Sequence, residues 1–465
     1  MKYDFDKPIN RRGTNCVKWD EPTPYPSQGE ESLDTICDRN AATETNQAPL
    51  PSGGDGGGLI PLWVADMDFE AAPAIREALR KRVDHGVFGY AIVQPSYYDA
   101  VIRWYERRHQ WHIRREWIQY TTGVVPAISA VIKAITMPGE RVLILTPVYN
   151  CFFSSIRNNG CEVLESKLVP IEAKRPTASR PTPLPLPVRE GSNYSQGGNP
   201  QAEMHSTPLP HREGQGGGSA GGGCLLTYSV DWDDFETKCA DEKTTVFLLC
   251  NPHNPAGRVW TRDELQRMAD ICQRHHVRVV SDEIHCELVM PGHEFVPFGR
   301  LVPTSIICCS PSKSFNTAGL QMANIICADP ETRRRIDRAI NINEICDVNP
   351  FAPLAVEAAY NEGAEWIDEL NQYLWGNYQA LLAFFAEHLP QLKVFNLEGT
   401  YLVWVDITAT GLTSDQLEEK LLREAQVWVN SGTMYGADGY IRINIATQRA
   451  RLMEGLRRIA RVLAP

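Results

Sequence analysis

Lys313 lies in the run Ser310-Pro311-Ser312-Lys313, directly after the apolar stretch Thr304–Cys309. That stretch reads as a strand, which puts the lysine at a strand's carboxyl end, beside hydroxyls and ahead of a turn. An amine condenses with an aldehyde only when neutral, so such a lysine needs a site that lowers its pKa. Ser310 and Ser312 are short donors that suit a phosphate. Taken alone, the motif also fits a surface lysine. Asp282 closes a second apolar run, Val277–Ser281, in Asp282-Glu283-Ile284-His285. A carboxylate there can pair with a protonated pyridine nitrogen, or it can open an exposed turn. His285 can hydrogen-bond a phenolate oxygen or cap that turn. A third run, Val246–Cys250, ends in Asn251-Pro252-His253-Asn254-Pro255-Ala256-Gly257. Two prolines and a glycine impose a fixed, non-helical loop. Asn254 can donate its amide to the same phenolate oxygen, or belong to an ordinary Asn-Pro turn.

Three further pieces extend the pattern. Tyr120-Thr121-Thr122-Gly123 leads into an apolar helix predicted over Ala127–Ile135. A glycine at a helix start lets backbone N–H groups close on a phosphate, helped by the helix dipole. A plain helix N-terminus looks the same. Tyr149 follows the strand Arg141–Leu145 and can stack on a flat pyridine ring or pack into the core. Arg442 stands alone in the apolar strand Tyr440–Ala446. A buried arginine needs an anion, and its fork fits an α-carboxylate or an internal carboxylate partner. The order of these signals and their shared position at strand ends describe a pocket for pyridoxal 5′-phosphate and an amino-acid substrate. No metal is expected, because the cysteine and histidine spacing of a zinc site is absent.

The elements that must position these residues alternate. Arg141–Leu145, Val246–Cys250, Val277–Ser281, Thr304–Cys309 and Asn324–Ala328 read as short buried strands. Amphipathic helices fall between several of them, the clearest from Thr261 to about His276. Thr261 and Glu264 make a capping box, and Leu265, Met268, Ala269 and Cys272 define one buried face. Short buried strands alternating with helices imply a mostly parallel sheet. Ligands of such sheets sit beyond the carboxyl ends of the strands.

Composition narrows the classes. The 465 residues carry a net charge of −11, with 43% hydrophobic and 22% charged residues. That length suggests two or three domains. The acidic balance argues against a nucleic-acid partner or an anionic membrane. No apolar run reaches the length of a bilayer span, and the first residues lack the apolar core of a signal peptide. The 13 cysteines form no C-x-x-C pair, as expected of buried thiols in a reducing cytoplasm. Residues 21–58 and 172–223 are rich in Pro, Gly, Ser, Asn and Gln, and are expected to be disordered insertions. They share an echo: TPLPLPVREGS at Thr182–Ser192, TPLPHREGQGGG at Thr207–Gly218, and PLPSGGDGGG ending at Gly58. The echo reads as loop expansion, or as a polyproline segment for a partner.

The ordered motifs also resemble a known group. RRGTNCVKWD (Arg11–Asp20), PLWVADMDFEAAPAI (Pro61–Ile75), HGVFGY (His85–Tyr90), TTGVVPAISAV, LLCNPHNPAGRVW, VVSDEIH, SPSKSFNTAGLQ, EGTYLVW and IRINIATQR are similar to fold-type-I pyridoxal-phosphate enzymes of the class I/II aminotransferase superfamily. Within it they most resemble the cystathionine β-lyase or C–S lyase branch, the MalY/PatB type. The resemblance implies an α/β fold of the fold-type-I transferase kind. A mostly parallel sheet would fill a large domain over 85–349. A smaller α+β domain with an N-terminal arm would take 1–84 and 350–465. It implies that Lys313 forms the Schiff base, Asp282 pairs with the ring nitrogen, Asn254 and His285 contact the phenolate oxygen, and Tyr149 stacks on the ring. Gly123, Val124, Ser310 and Ser312 would hold the phosphate. Tyr90 would reach the phosphate of the other subunit of a homodimer, and Arg442 would bind the substrate carboxylate. Typical aminotransferases of the superfamily carry a phosphate-binding arginine eight residues after the lysine, where this chain has Gln321. That departure favours β-elimination on an L-cysteine S-conjugate over transamination. A regulatory protein that keeps the fold is a further alternative.

Overall fold

The computed structural model describes residues 1–21, 58–173, 225–342 and 347–463. The two expected insertions therefore fall almost wholly outside the described residues. At the edge of the second, Glu172 belongs to a strand. Val169–Glu172 pairs antiparallel with Leu226–Ser229, and the Ala173 amide donates to the Leu225 carbonyl at 2.8 Å.

A seven-stranded sheet carries the site. From edge to edge its strands are Ile118–Thr121, Ala323–Cys327, Ile306–Cys309, Arg278–Asp282, Thr244–Cys250, Arg141–Thr146 and Glu162–Lys167. Every pairing from Ile306–Cys309 onward is parallel. Ala323–Cys327 is antiparallel to both neighbours. The reason is local. Only a short 3-10 turn, Ala318–Leu320, lies between Ile306–Cys309 and Ala323–Cys327. With no crossover helix the chain returns antiparallel.

Both sheet faces are buried, which is why the strands read as continuous apolar runs. Val142, Ile144, Val246, Leu248, Val280 and Ile306 face one core, with the helix Val124–Ile135 and Ile336. The alternate residues Leu143, Leu145, Phe247, Leu249, Val279 and Ile307 face the other. The helix at Thr261 spans Arg262–Arg274. Its capping box is complete, with Thr261 accepting from the Glu264 amide and the Glu264 carboxylate accepting from the Thr261 amide.

A four-stranded antiparallel sheet follows, ordered Lys393–Val394, Leu402–Asp406, Tyr440–Asn444, Asn430–Ser431. It brings Trp404 and Asn430 beside Arg442. Among the described residues no helix is long and apolar enough to cross a membrane.

Candidate active site

Strand register sets the centre of the site. Cys250 pairs with Asp282, and Asp282 with Cys308, so three strands end in one row. The loops leaving that row carry Asn254, His285 and Lys313. The Asn254 loop is held by Gly257 at φ +67°, a left-handed position where a Cβ would sit 2.6 Å from Leu397 Cδ1. Glycine is required there by both the backbone and the space.

Lys313 is partly buried, and its Nζ donates to the Ala65 carbonyl at 2.7 Å. Burial is the largest influence on its amine, and Arg442 adds a like charge; together they lower its pKa against the pull of Asp66 and Asp282. Asp282 is buried, and burial pushes its carboxyl up to about 7, opposed by the Ile284 amide and Lys313. An unpaired carboxyl in this setting is suited to a cationic ring nitrogen. His285 is buried with no partner for Nδ1. Burial, then Lys313 and Arg442, lower its pKa to about 3, so it stays neutral. Its ring meets Tyr401 edge-on, with centroids 6.2 Å apart.

Arg442 is also buried. Its Nη1 donates to Asn254 Oδ1 at 3.0 Å and its Nη2 to the Trp63 carbonyl at 2.9 Å. Its Nε has no partner, and its guanidinium lies 4.9 Å from the centre of the Tyr435 ring. No internal carboxylate meets it among the described hydrogen bonds and ion pairs. The expected alternative of an internal salt bridge is therefore not what the arginine makes. Tyr149 is partly buried. Burial lifts its hydroxyl well above its ordinary value, with smaller contributions from Cys151 and Asp282.

The phosphate candidates divide. Gly123 is the N-cap of the helix, which begins at Val124 rather than Ala127, so the amide end of a twelve-residue helix lies here. Gly123 is in extended backbone, and a Cβ would meet only Pro126 at ordinary contact. The Ser310 hydroxyl donates to the Met322 carbonyl at 2.6 Å and accepts from the Ser312 amide at 3.1 Å. In this arrangement Ser310 shapes the lysine turn, and its only hydroxyl proton is already committed. Ser312 is buried beside it. Tyr90 does not join the others within the chain, since it is 97% exposed. Gln321 is exposed in a left-handed conformation at φ +54°, and Tyr120 Oη donates to its carbonyl at 3.4 Å.

Several residues at the site escaped sequence reasoning. Ala65 offers one carbonyl to both Lys313 and Tyr401, the latter at 2.9 Å. Tyr401 follows Thr400, whose φ of +67° is rare for a β-branched residue. A carbonyl acceptor has no sequence signature. The stretches WVADMDF and GTYLVW did mark both segments, without roles. Elsewhere, buried His109, Cys286 and Glu287 lie close together. Glu287 already accepts from His109 and Trp104 at 2.6 Å each and pairs with Arg108. That carboxylate is satisfied by protein donors.

The residues present fit pyridoxal phosphate. His285 Nδ1 and Arg442 Nε are without partners, and the Asp282 carboxyl and Lys313 amine make hydrogen bonds but no ion pair among the described residues; such a ring and its substrate would supply the missing partners and charges. Comparison with known proteins agrees. The model of the family "Aminotransferase class I and II" matches residues 58–178 and 224–459. Cystathionine beta-lyase PatB of Bacillus subtilis is 35% identical, over 99% of this chain and all of its own length. Cystalysin from Treponema denticola, solved with pyridoxal 5′-phosphate, superposes with a TM-score of 0.76 at 30% identity, covering 100% of this chain and 99% of its own. The pyridoxal-phosphate-bound C–S lyase of Staphylococcus hominis gives a TM-score of 0.77 at 26% identity, with the same coverage.

Proposed function

The chain belongs to the class I and II aminotransferase family, and we propose that it cleaves L-cysteine S-conjugates of the cystathionine type to a thiol, pyruvate and ammonia. Its cofactor is pyridoxal 5′-phosphate and its chemistry that of a carbon–sulfur lyase. The observation that carries the reading is one amine, Lys313, held beside Asp282 and Arg442 where three strand ends meet.

When bound, the cofactor supplies an electron sink for the negative charge left at the substrate Cα. Lys313 would hold it, and its free amine would take the substrate Cα proton as general base. A lysine with a lowered pKa is suited to that task. Asp282 would face the ring nitrogen, where a cation would favour its ionised form against the effect of burial. Asn254 and neutral His285 would contact the phenolate oxygen, and Tyr149 would stack on the ring. The amides at Gly123 and Val124, with Ser312, would hold the phosphate, and Ser310 shapes the turn that carries Ser312 and Lys313. Arg442 fixes the substrate carboxylate and with it the torsion that sets the Cα–H bond for removal. Its bond to Asn254 ties substrate and cofactor contacts together.

Elimination of a thiol, rather than amino transfer, is favoured by Gln321. Aminotransferases of the superfamily carry a phosphate-binding arginine at that position. The enzyme acts as a homodimer in which Tyr90 reaches the partner's phosphate site. The exposed Phe88, Tyr90 and Ile92 support this. A cytoplasmic setting accords with described cysteines that form no disulfide.

The deciding experiment supplies cystathionine to the purified holoenzyme with no keto acid. Pyruvate and thiol should appear in equal amounts. Absence of pyruvate, with amino transfer once a keto acid is added, would replace the lyase with a transaminase.

A further inference from the structure

Residues 63–67 cross the site as a run whose carbonyls are taken by distant side chains. Trp63 accepts from Arg442 Nη2 at 2.9 Å, and Ala65 from Lys313 Nζ at 2.7 Å. Asp66 accepts from Asn444 Nδ2 at 2.7 Å, and Met67 from Asn316 Nδ2 at 2.9 Å. A displacement of this run would therefore move the acceptors of the lysine and of the arginine together.

The side chains of the same segment are gripped by another stretch of chain. Arg11 donates to Asp66 Oδ2 at 2.7 Å, to Asp68 Oδ1 at 2.9 Å and to the Met67 carbonyl at 2.9 Å. Lys18 Nζ lies 3.2 Å from Asp68 Oδ2 and 3.5 Å from Asp66 Oδ1. Trp19 Nε1 donates to Asp68 Oδ1 at 2.9 Å, and Arg451 reaches Asp68 Oδ2 at 3.3 Å. Neither Lys18 nor Asp68 has exposed side-chain surface. Burying such charges gives little net stability over an apolar pair of the same shape. What the ions add is direction, because each carboxylate is held by donors at fixed angles. The grip also closes the chain across residues 22–57, joining the segment before them to the segment after.

We infer that Arg11 and Lys18 are positioning residues: the strap 11–20 clamps residues 63–68 so that their carbonyls hold Lys313 and Arg442 in register for the reaction. The inference rests on the reading of Lys313 as the cofactor lysine.

Holoenzymes carrying Arg11→Met or Lys18→Met test it. Each should remain folded and keep its cofactor, while kcat on cystathionine falls about tenfold, the scale expected of a misplaced general base. The pH midpoint of the bound cofactor's visible band should move by about half a unit or more. Folded variants with unchanged kcat and midpoint would overturn the proposal. A measurement on the unaltered chain guards against variants that fail to fold. Adding pyridoxal phosphate to the cofactor-free protein should slow amide exchange in 11–20 and 60–68 together. Slowing of 60–68 alone would also overturn it. If the unaltered holoenzyme lacks the visible band, or Lys313→Ala retains it, the lysine reading fails instead.

Discussion

At the residue scale, burial shifts the candidate site groups in opposite directions: it lowers Lys313 and His285 and raises Asp282. Lys313→Ala should abolish both elimination and the yellow band of the holoenzyme, checked by absorbance and pyruvate release. Asp282→Ala should bind cofactor and fold, yet lose about a thousandfold in kcat, since a ring without its proton is a poor electron sink; near-normal turnover would remove Asp282 from that role. Glu283 offers a pH test outside the chemistry. It is buried, with Oε1 accepting from the Phe298 amide and Ser281 Oγ. Burial raises its carboxyl from 4.5 to about 8. Between those values the folded protein keeps a proton that the unfolded chain has released. Stability from this group is therefore full below about pH 4.5 and is lost as pH rises toward 8. Glu283→Gln should flatten that fall in the cofactor-free protein, by an amount on the order of a few kcal/mol. Melting temperatures from pH 5 to 8 would show it.

Elements matter by what their ends present. The strand ends place Asp282 and the Lys313 turn, and the loop after Thr244–Cys250 places Asn254 against Arg442. Gly257→Ala would force a side chain into a left-handed residue packed on Leu397. The expected result is a loss of roughly 1–3 kcal/mol together with weaker cofactor retention, because the Asn254 loop must shift. Unaltered cofactor affinity in a folded variant would separate that loop from the site. The helix end at Thr261 makes a contrast. Thr261→Ala removes a cap and should cost about 1 kcal/mol, with kcat unchanged, since the cap bonds join Thr261 to Glu264 and to none of the site residues.

At the scale of the whole molecule, two features can be tested. Tyr90 is exposed within one chain, although the family resemblance gives it a phosphate. Mixing Tyr90→Ala with Lys313→Ala subunits should restore activity in hybrids, because one of the two shared sites then has both residues intact; no recovery on mixing would place Tyr90 outside the site. The hairpin Val169–Glu172 with Leu226–Ser229 has paired ends close enough for a short turn. Replacing 175–222 by such a turn should leave a folded dimer with unchanged kcat, measured by sedimentation and pyruvate release.

How much was legible follows from range. Lys313, Asp282, Asn254 and Tyr149 could be singled out as candidates because each lies within four residues of the end of an apolar run, and apolar runs bounded by turns are a local signal. The single antiparallel reversal at Ala323–Cys327 was not read, since strand direction depends on the connection rather than the run. The helix start at Val124 was missed because Pro126 masked it, although proline is tolerated in a first turn.

By itself the sequence determined the sheet type and the strand ends at which Lys313, Asp282 and Asn254 were to be sought. Tertiary structure alone decided that Arg442 meets Asn254, 188 residues away. It also decided that Ala65 serves Lys313 and Tyr401 with one carbonyl, and that Arg11 and Lys18 hold the segment that supplies it. Burial patterns repeat every two or four residues and are written locally. The partner of a polar group is chosen only when distant segments pack, and no spacing along the chain records that choice.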